Sequence, residues 1–322
     1  MSDTMRGLYA IIGACLIWGL GPLYYKLLAP VPPLEILAHR TIWSLVFFGA
    51  ILAVRGRLSA AVQLIRARTQ CAATIAAAFF ISANWFGFIL SVQIARALES
   101  SLGYFIFPLV AVLLGMIFFG DRLNRLQWLS VALAALAVGV LIVGVRAVPW
   151  IALGLAFSFG IYGLLKKRVR AEAMVSVTVE MLVLSPLALF WLWGVHAQGF
   201  AGLDGRVTGG VFGKDAYLSA LLALSGPLTA LPLILFSYAS QRLSLPTVGL
   251  IQYLNPSLQF LCAAVVFGEP LTRWHMLAFP LIWVALAVYS FDAFRKRRSR
   301  SIAASVDSTT VNFSRREGSA NP

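Results

Sequence analysis

The chain has 322 residues, a formal net charge of +14 and a mean hydropathy of +0.85, with 60% hydrophobic and 12% charged residues. A soluble domain is about half apolar and about 25% charged, so a soluble globular fold is excluded. The positive charge does not point to nucleic acid, because it falls in alternate connections between apolar stretches.

A hydrocarbon core of about 30 Å needs about 20 apolar residues per helix. Such stretches predict spans at 7–28, 34–54, 72–93, 102–119, 126–145, 149–165, 175–195, 216–240, 246–267 and 275–291. The basic connections carry Arg55, Arg57, Arg66 and Arg68, then Arg122 and Arg125, then Lys166, Lys167, Arg168 and Arg170, then Arg295 to Arg300. The intervening ones carry only Arg96, Arg146, Arg206, Lys214 and Arg273. This positive-inside bias places both termini in the cytoplasm.

The first span is too long for a signal-peptide core and has Pro22 and Tyr24-Tyr25 near its end, so it reads as a retained helix. Trp18 and Tyr25 lie seven apart on it. The second span opens with Glu35, His39 and Arg40. Glu35 and His39 share a helix face. Arg40 lies about one and a half turns in, where a charge costs about 2.5–3.5 kcal/mol or more. Two readings stand: a structural ion pair near the outer headgroups, or a substrate or proton site. The third span carries Asn84 and Ser91 on one face beside Trp85. Span 5 is almost wholly Ala, Val and Leu, and span 10 is nearly free of polar residues, which suits a lipid-facing rim. Spans 1 to 4 and 6 to 9 hold the intramembrane polar groups and are expected to surround a cavity.

The second five spans repeat the helix breakers of the first five. Tyr104 to Pro108, followed by Gly120-Asp121, matches Gln252-Tyr253-Leu254-Asn255-Pro256, followed by Gly268-Glu269, at an offset of 148. Gly19-Leu20-Gly21-Pro22 and Lys26 match Gly160-Ile161-Tyr162-Gly163 and Lys167 at an offset of 141. Five crossings per copy invert the second copy, an arrangement of secondary transporters. The fold class is therefore an all-α membrane protein with ten transmembrane helices in two inverted five-helix repeats. The units are 1–148, 149–294 and a basic tail, 295–322, expected to be disordered and cytoplasmic.

Each proline frees a carbonyl four residues earlier, on Tyr104 and on Gln252. A freed carbonyl at membrane depth needs a partner or a water-filled cavity. Gln252, Asn255 and Gln259 form one polar face. The candidate substrate-binding set is Trp18, Asn84, Trp85, Tyr104, Tyr162, Gln252, Tyr253 and Asn255. Such a lining suits an amphipathic or aromatic solute better than a bare ion. Glu180, the one acid of span 7, corresponds to His39 at the 141 offset. Inversion sets this titratable pair at matching depths on opposite sides, which suits proton coupling. His39, Arg40 and Glu180 form the candidate charge and proton set. The rival for Glu180 is a structural pair with Lys166 or Lys167.

Asp121 and Glu269 precede helices and are expected to cap them. The glycine-rich connection 196–215 is expected to be external and mobile. Cys15, Cys71 and Cys262 lie in spans without metal or redox spacing. No Walker, HExxH or GxSxG motif is present, so neither ATP drive nor hydrolase chemistry is expected, and no cofactor or metal.

Several ordered segments carry a family resemblance: Glu35-Ile36-Leu37-Ala38-His39-Arg40-Thr41-Ile42-Trp43-Ser44, Glu99-Ser100-Ser101-Leu102-Gly103-Tyr104-Phe105, Gly115 to Arg122, Ile151 to Phe159, and Phe279 to Ala287. Over about residues 5 to 295 the chain resembles the RarD-type members of the EamA group in the drug/metabolite transporter superfamily. The resemblance implies ten helices in two inverted repeats, a bacterial inner-membrane location and efflux of small solutes such as amino-acid-like or amphenicol compounds. Asp121 stands where Glu is more usual, and the 196–215 loop and the tail depart from the pattern. The partners expected are a small-molecule substrate and the lipid bilayer. The rival is a membrane-embedded enzyme or lipid-handling scaffold, which would turn substrate over in detergent. Substrate, coupling ion, direction and oligomeric state have no signature in the sequence.

Overall fold

The structure is a computed structural model that describes residues 3–120, 122–203, 205–292 and 295. Asp121 and the tail beyond Arg295 lie outside the described residues. The first span is α1 (Asp3–Gly19) and α2 (Gly21–Leu27), interrupted at Leu20. Then come α3 (Pro33–Val54), α4 (Leu58–Arg66), α5 (Arg68–Gln93), α6 (Ala97–Phe119) and α7 (Arg125–Val145). The second half has α8 (Trp150–Lys166), α9 (Ala173–Ala197) and α10 (Ala216–Ser240). Its ninth span is α11 (Leu245–Gln252), α12 (Leu254–Leu261) and a π-helical turn (Cys262–Val266), and the last is α13 (Arg273–Asp292). All ten predicted spans are helical among the described residues.

The sequence reading left α4 as part of a loop. It is a short amphipathic helix. Ala60, Ala61 and Leu64 pack with Phe48, Leu52 and Met174, while Arg57 pairs with Glu172 at 3.7 Å. Only about two turns long, it has no apolar run of membrane length to reveal it.

The packing is duplicated by the repeat. Helix α3 packs on α9 across the middle. Helix α5 packs on α8 as α10 packs on α1, α6 packs on α8 as α12 packs on α1, and α3 packs on α10 as α9 packs on α5. Each contact in these mirrored pairs joins one half to the other. Close approach uses small residues, because lipid gives helices no hydrophobic drive to associate. A Cβ on Gly103 would sit 2.6 Å from the Ala152 carbonyl oxygen, and one on Gly226 2.4 Å from that of Trp43. Helices α7 and α13 form the rim, as their composition predicts. Their ends are joined by Asn124 Nδ2, which donates to both Asp292 oxygens at 2.7 Å.

One end of the bundle is crossed by the 198–215 connection. Arg206 donates to the Ala29 carbonyl at 2.7 Å and to Gln93 Oε1 at 2.8 Å. Buried Glu35 accepts from Thr208 Oγ1 at 2.9 Å and from the Val211 amide at 2.8 Å. Phe212 stacks on His39, with centroids 4.9 Å apart. This glycine-rich segment is thus anchored by side chains of α3 and α5. Glu269 does not cap the helix that follows it. Its two oxygens accept from the Ala97 and Leu98 amides at 2.7 and 2.8 Å, capping α6. Thr272 serves α13 instead, its Oγ1 accepting from the His275 amide at 3.4 Å. The chemistry expected of Glu269 is present, but on a helix 171 residues away in sequence, which local pattern cannot reveal.

Candidate functional site: a cavity between the halves

A cavity of about 700 Å³ lies between the two halves, walled by α1, α2, α3, α5 and α6 from one and by α8, α9, α10, α11 and α12 from the other. At one end it reaches Lys166, Ala173 and Ser240, which stand at helix termini. Ala173 there is exposed. At the other end it stops on Tyr25 and Arg40, both buried beside the end that the 198–215 connection crosses.

Trp18, Arg40, Asn84, Trp85, Tyr104, Tyr162, Gln252 and Asn255 all line the cavity. The structure therefore gathers most of the candidate residues around one space. Tyr253, His39 and Glu180 are outside the lining. Tyr253 packs with the apolar cluster around Phe279 and Ala285. His39 lies under Phe212 at the crossed end, and its Nε2 is buried without a hydrogen-bond partner. Glu180 lies one contact behind the wall at the other end. It accepts from Lys166 Nζ at 2.6 Å, from Ser176 Oγ at 3.0 Å and from the Tyr162 hydroxyl at 3.3 Å. Of the two lysines open as partners, Lys166 is the one that pairs. Lys167 instead sits 4.7 Å from the Phe119 ring centroid.

The wall is mostly aromatic and aliphatic, with a few polar groups. Asn84 ties the halves together: Nδ2 donates to the Leu155 carbonyl at 2.9 Å and to Ser158 Oγ at 3.1 Å. Its Oδ1 accepts from the Tyr104 hydroxyl at 2.8 Å. Gln259 Nε2 donates to Asn255 Oδ1 at 2.9 Å, and Gln259 Oε1 is buried without a partner. Arg40 donates from Nη1 to the Tyr25 hydroxyl at 2.5 Å. Its guanidinium carbon lies 4.0 Å from the Trp85 ring centroid, and Nε has no partner.

The sequence reading did not single out Lys166, Phe159, Thr229 or Ser237 as wall residues. Lys166 carries the charge of a cytoplasmic connection, which masks its second role. Thr229 and Ser237 are intramembrane hydroxyls eight residues apart, a signal that was present in α10. Among the described residues no His, Cys, Asp and Glu group has a metal-binding arrangement.

The model of the EamA-like transporter family matches twice, at residues 5–143 and 147–291. The chain belongs to the EamA-like transporter family. It is 40% identical over 299 residues to Protein RarD of Salmonella typhimurium, covering 92% of this chain and 99% of that one. It is 38% identical over 294 residues to an uncharacterized transporter of Vibrio cholerae, covering 91% and 94% of the two chains. A chloramphenicol-sensitive protein RarD of Pseudomonas aeruginosa is 30% identical over 311 residues, with 94% and 99% covered. One solved crystal structure aligns with a TM-score of 0.56 at 21% identity, over 92% of this chain and 98% of that one, a likeness of fold. The protein is a multi-pass membrane transporter of the drug/metabolite superfamily, from a family of transporters rather than enzymes.

Proposed function

We propose that this EamA protein is a secondary-active exporter of small amphipathic metabolites or drugs, amino-acid-like or amphenicol compounds included, working by alternating access in the bacterial inner membrane. The observation that carries the reading is the cavity: about 700 Å³ between the repeats, reaching helix ends on one side and stopping on buried residues at the other. Its units are 1–148 and 149–294, and they rock about the α3–α9 contact. Trp18, Asn84, Trp85, Tyr104, Tyr162, Gln252 and Asn255 form the substrate site, with Tyr253 supporting it from behind.

The basic connections put the Lys166 end in the cytoplasm, so this cavity faces the cell interior, where an exporter loads. Both termini are then cytoplasmic and 198–215 is external. Single cysteines at 205 and 168 test this with an impermeant thiol reagent in intact cells. Position 205 should label and 168 should stay silent, and the reverse pattern sinks the orientation.

The proton path runs through Glu180 and His39. Both are buried, and they lie at opposite ends of the bundle. Tyr162 and Lys166 link Glu180 to the cavity, so a substrate arriving there can displace its lysine. Purified protein in proteoliposomes should show saturable counterflow of labelled solute. Glu180→Gln should abolish uphill transport driven by a pH gradient while sparing downhill exchange. Unchanged gradient-driven transport by a folded Glu180→Gln protein would falsify the coupling role. Turnover of substrate in detergent without counterflow would replace the carrier with an enzyme.

A further inference from the structure

We infer that the cargo is an amphipathic organic monoanion, whose charged oxygens pair with Arg40 and whose N–H or O–H donor meets Gln259 Oε1. This rests on the carrier reading above and narrows it, setting aside its uncharged amphenicol compounds.

The cavity wall holds two charged side chains, Arg40 and Lys166. Lys166 is neutralised by Glu180 at 2.6 Å. Arg40 is 8% exposed, and no carboxylate of the described residues lies within ion-pair distance of it. Its partners are one tyrosine hydroxyl and the rings of Tyr25 and Trp85. Rings offset part of a buried charge but accept no in-plane N–H bond. Nε is left with none. A guanidinium held in a cavity wall, short of a counter-charge and with a free donor, is complementary to a carboxylate or phosphate oxygen.

The sign and size of the wall charge select the ligand. A monoanion cancels it. A cation meets Arg40 as a like charge, and the one nearby acid is already held by Lys166, Ser176 and Tyr162. A dianion brings one charge that this wall does not balance. Gln259 is a second unmet group, 2% exposed, whose Oε1 is an acceptor without a donor. A neutral acceptor suits an amide N–H or a hydroxyl. The aromatic and aliphatic wall takes the rest of the molecule.

The test uses three probes on the purified full-length protein: N-acetyl-L-phenylalanine, its uncharged primary amide and phenyl phosphate. The acid should raise the melting temperature and bind at least tenfold more tightly than the amide. Arg40→Gln should remove that difference, and Arg40→Lys should keep part of it. Phenyl phosphate is mostly a dianion at neutral pH, so it should bind more weakly than the acid, and tighter binding of phenyl phosphate would overturn the monoanion assignment. Equal binding of acid and amide by the parent protein overturns the inference, as does undiminished acid binding by Arg40→Gln or a shift with none of the probes. If Arg40→Gln does not fold, the acid and amide pair on the parent decides alone. Counterflow in proteoliposomes separates the two claims. Saturable counterflow of the amide, unaffected by the acid, sinks the monoanion and keeps the carrier. Acid binding without counterflow keeps the site and sinks the carrier.

Discussion

Two helix pairs related by the repeat behave differently. The pair formed by the first and ninth spans is broken in both members. Helix α1 gives way to α2 at Leu20, and α11 gives way to α12 at Tyr253, with a π-helical turn at Cys262–Val266. The matching pair, α8 and α6, is continuous, and α6 runs through Pro108 without interruption. The fourth and ninth spans share a proline, Pro108 against Pro256, whereas Pro22 of the first span stands opposite Gly163 of α8. The shared proline gives two outcomes, a continuous α6 and the α11–α12 break, and by itself does not choose between them. The choice follows the surroundings. The continuous α6 begins at the crossed end, where Glu269 caps its first amides. The broken pair supplies Trp18, Gly21, Gln252 and Asn255 to the cavity. In the alternating-access reading proposed above, a duplicated unit that holds two shapes at once exchanges them between its copies.

The largest effect on this comparison is expected from the prolines. A proline inside a helix costs about 3 kcal/mol, and replacing it favours the straight form. Pro256→Ala should straighten the ninth span and disfavour the present state. Pro108→Ala should favour the α6 that is already continuous. Shifts of about 1–3 kcal/mol, roughly fivefold to 150-fold in population, are expected in opposite directions. A cysteine at position 88, in the cavity wall, reports the change through its reaction with a thiol reagent added from the 198–215 side. Labelling should rise with Pro256→Ala and fall with Pro108→Ala. Changes in the same direction would end the exchange account.

A comparable shift is expected from Glu269→Gln. Hydrogen bonds to a charged acceptor contribute about 1.5–3 kcal/mol each, and the amide side chain keeps one neutral acceptor oxygen. Loss of about 2 kcal/mol of closure, roughly thirtyfold in the equilibrium, should raise labelling at the same reporter. If labelling is unmoved while the folded protein melts lower, Glu269 is a stability residue and not a latch.

Much of the cavity was legible beforehand for a physical reason. A polar side chain in a membrane span is costly unless it faces protein or water. Asn84, Gln252, Asn255 and Arg40 could therefore be placed in an interior before any contact was known. Tyr253 shows the edge of that argument. It is one residue from Gln252, but the helix turns it into the apolar cluster around Phe279, and an aromatic ring is at home on either side. Glu180 shows another edge. Two adjacent lysines were possible partners, and only the end of α8 decided that Lys166 reaches it at 2.6 Å.

The hydrophobic runs, their breakers and the alternation of basic connections set the class, the ten spans and the duplication. These properties are local or periodic along the chain, and the bilayer enforces them on any fold. Which end is shut, which helix Glu269 caps and which copy of the breakers bends depend on contacts between residues a hundred or more positions apart. Such contacts are set by how the two halves pack on each other, as along α3 and α9, and composition and spacing do not encode them.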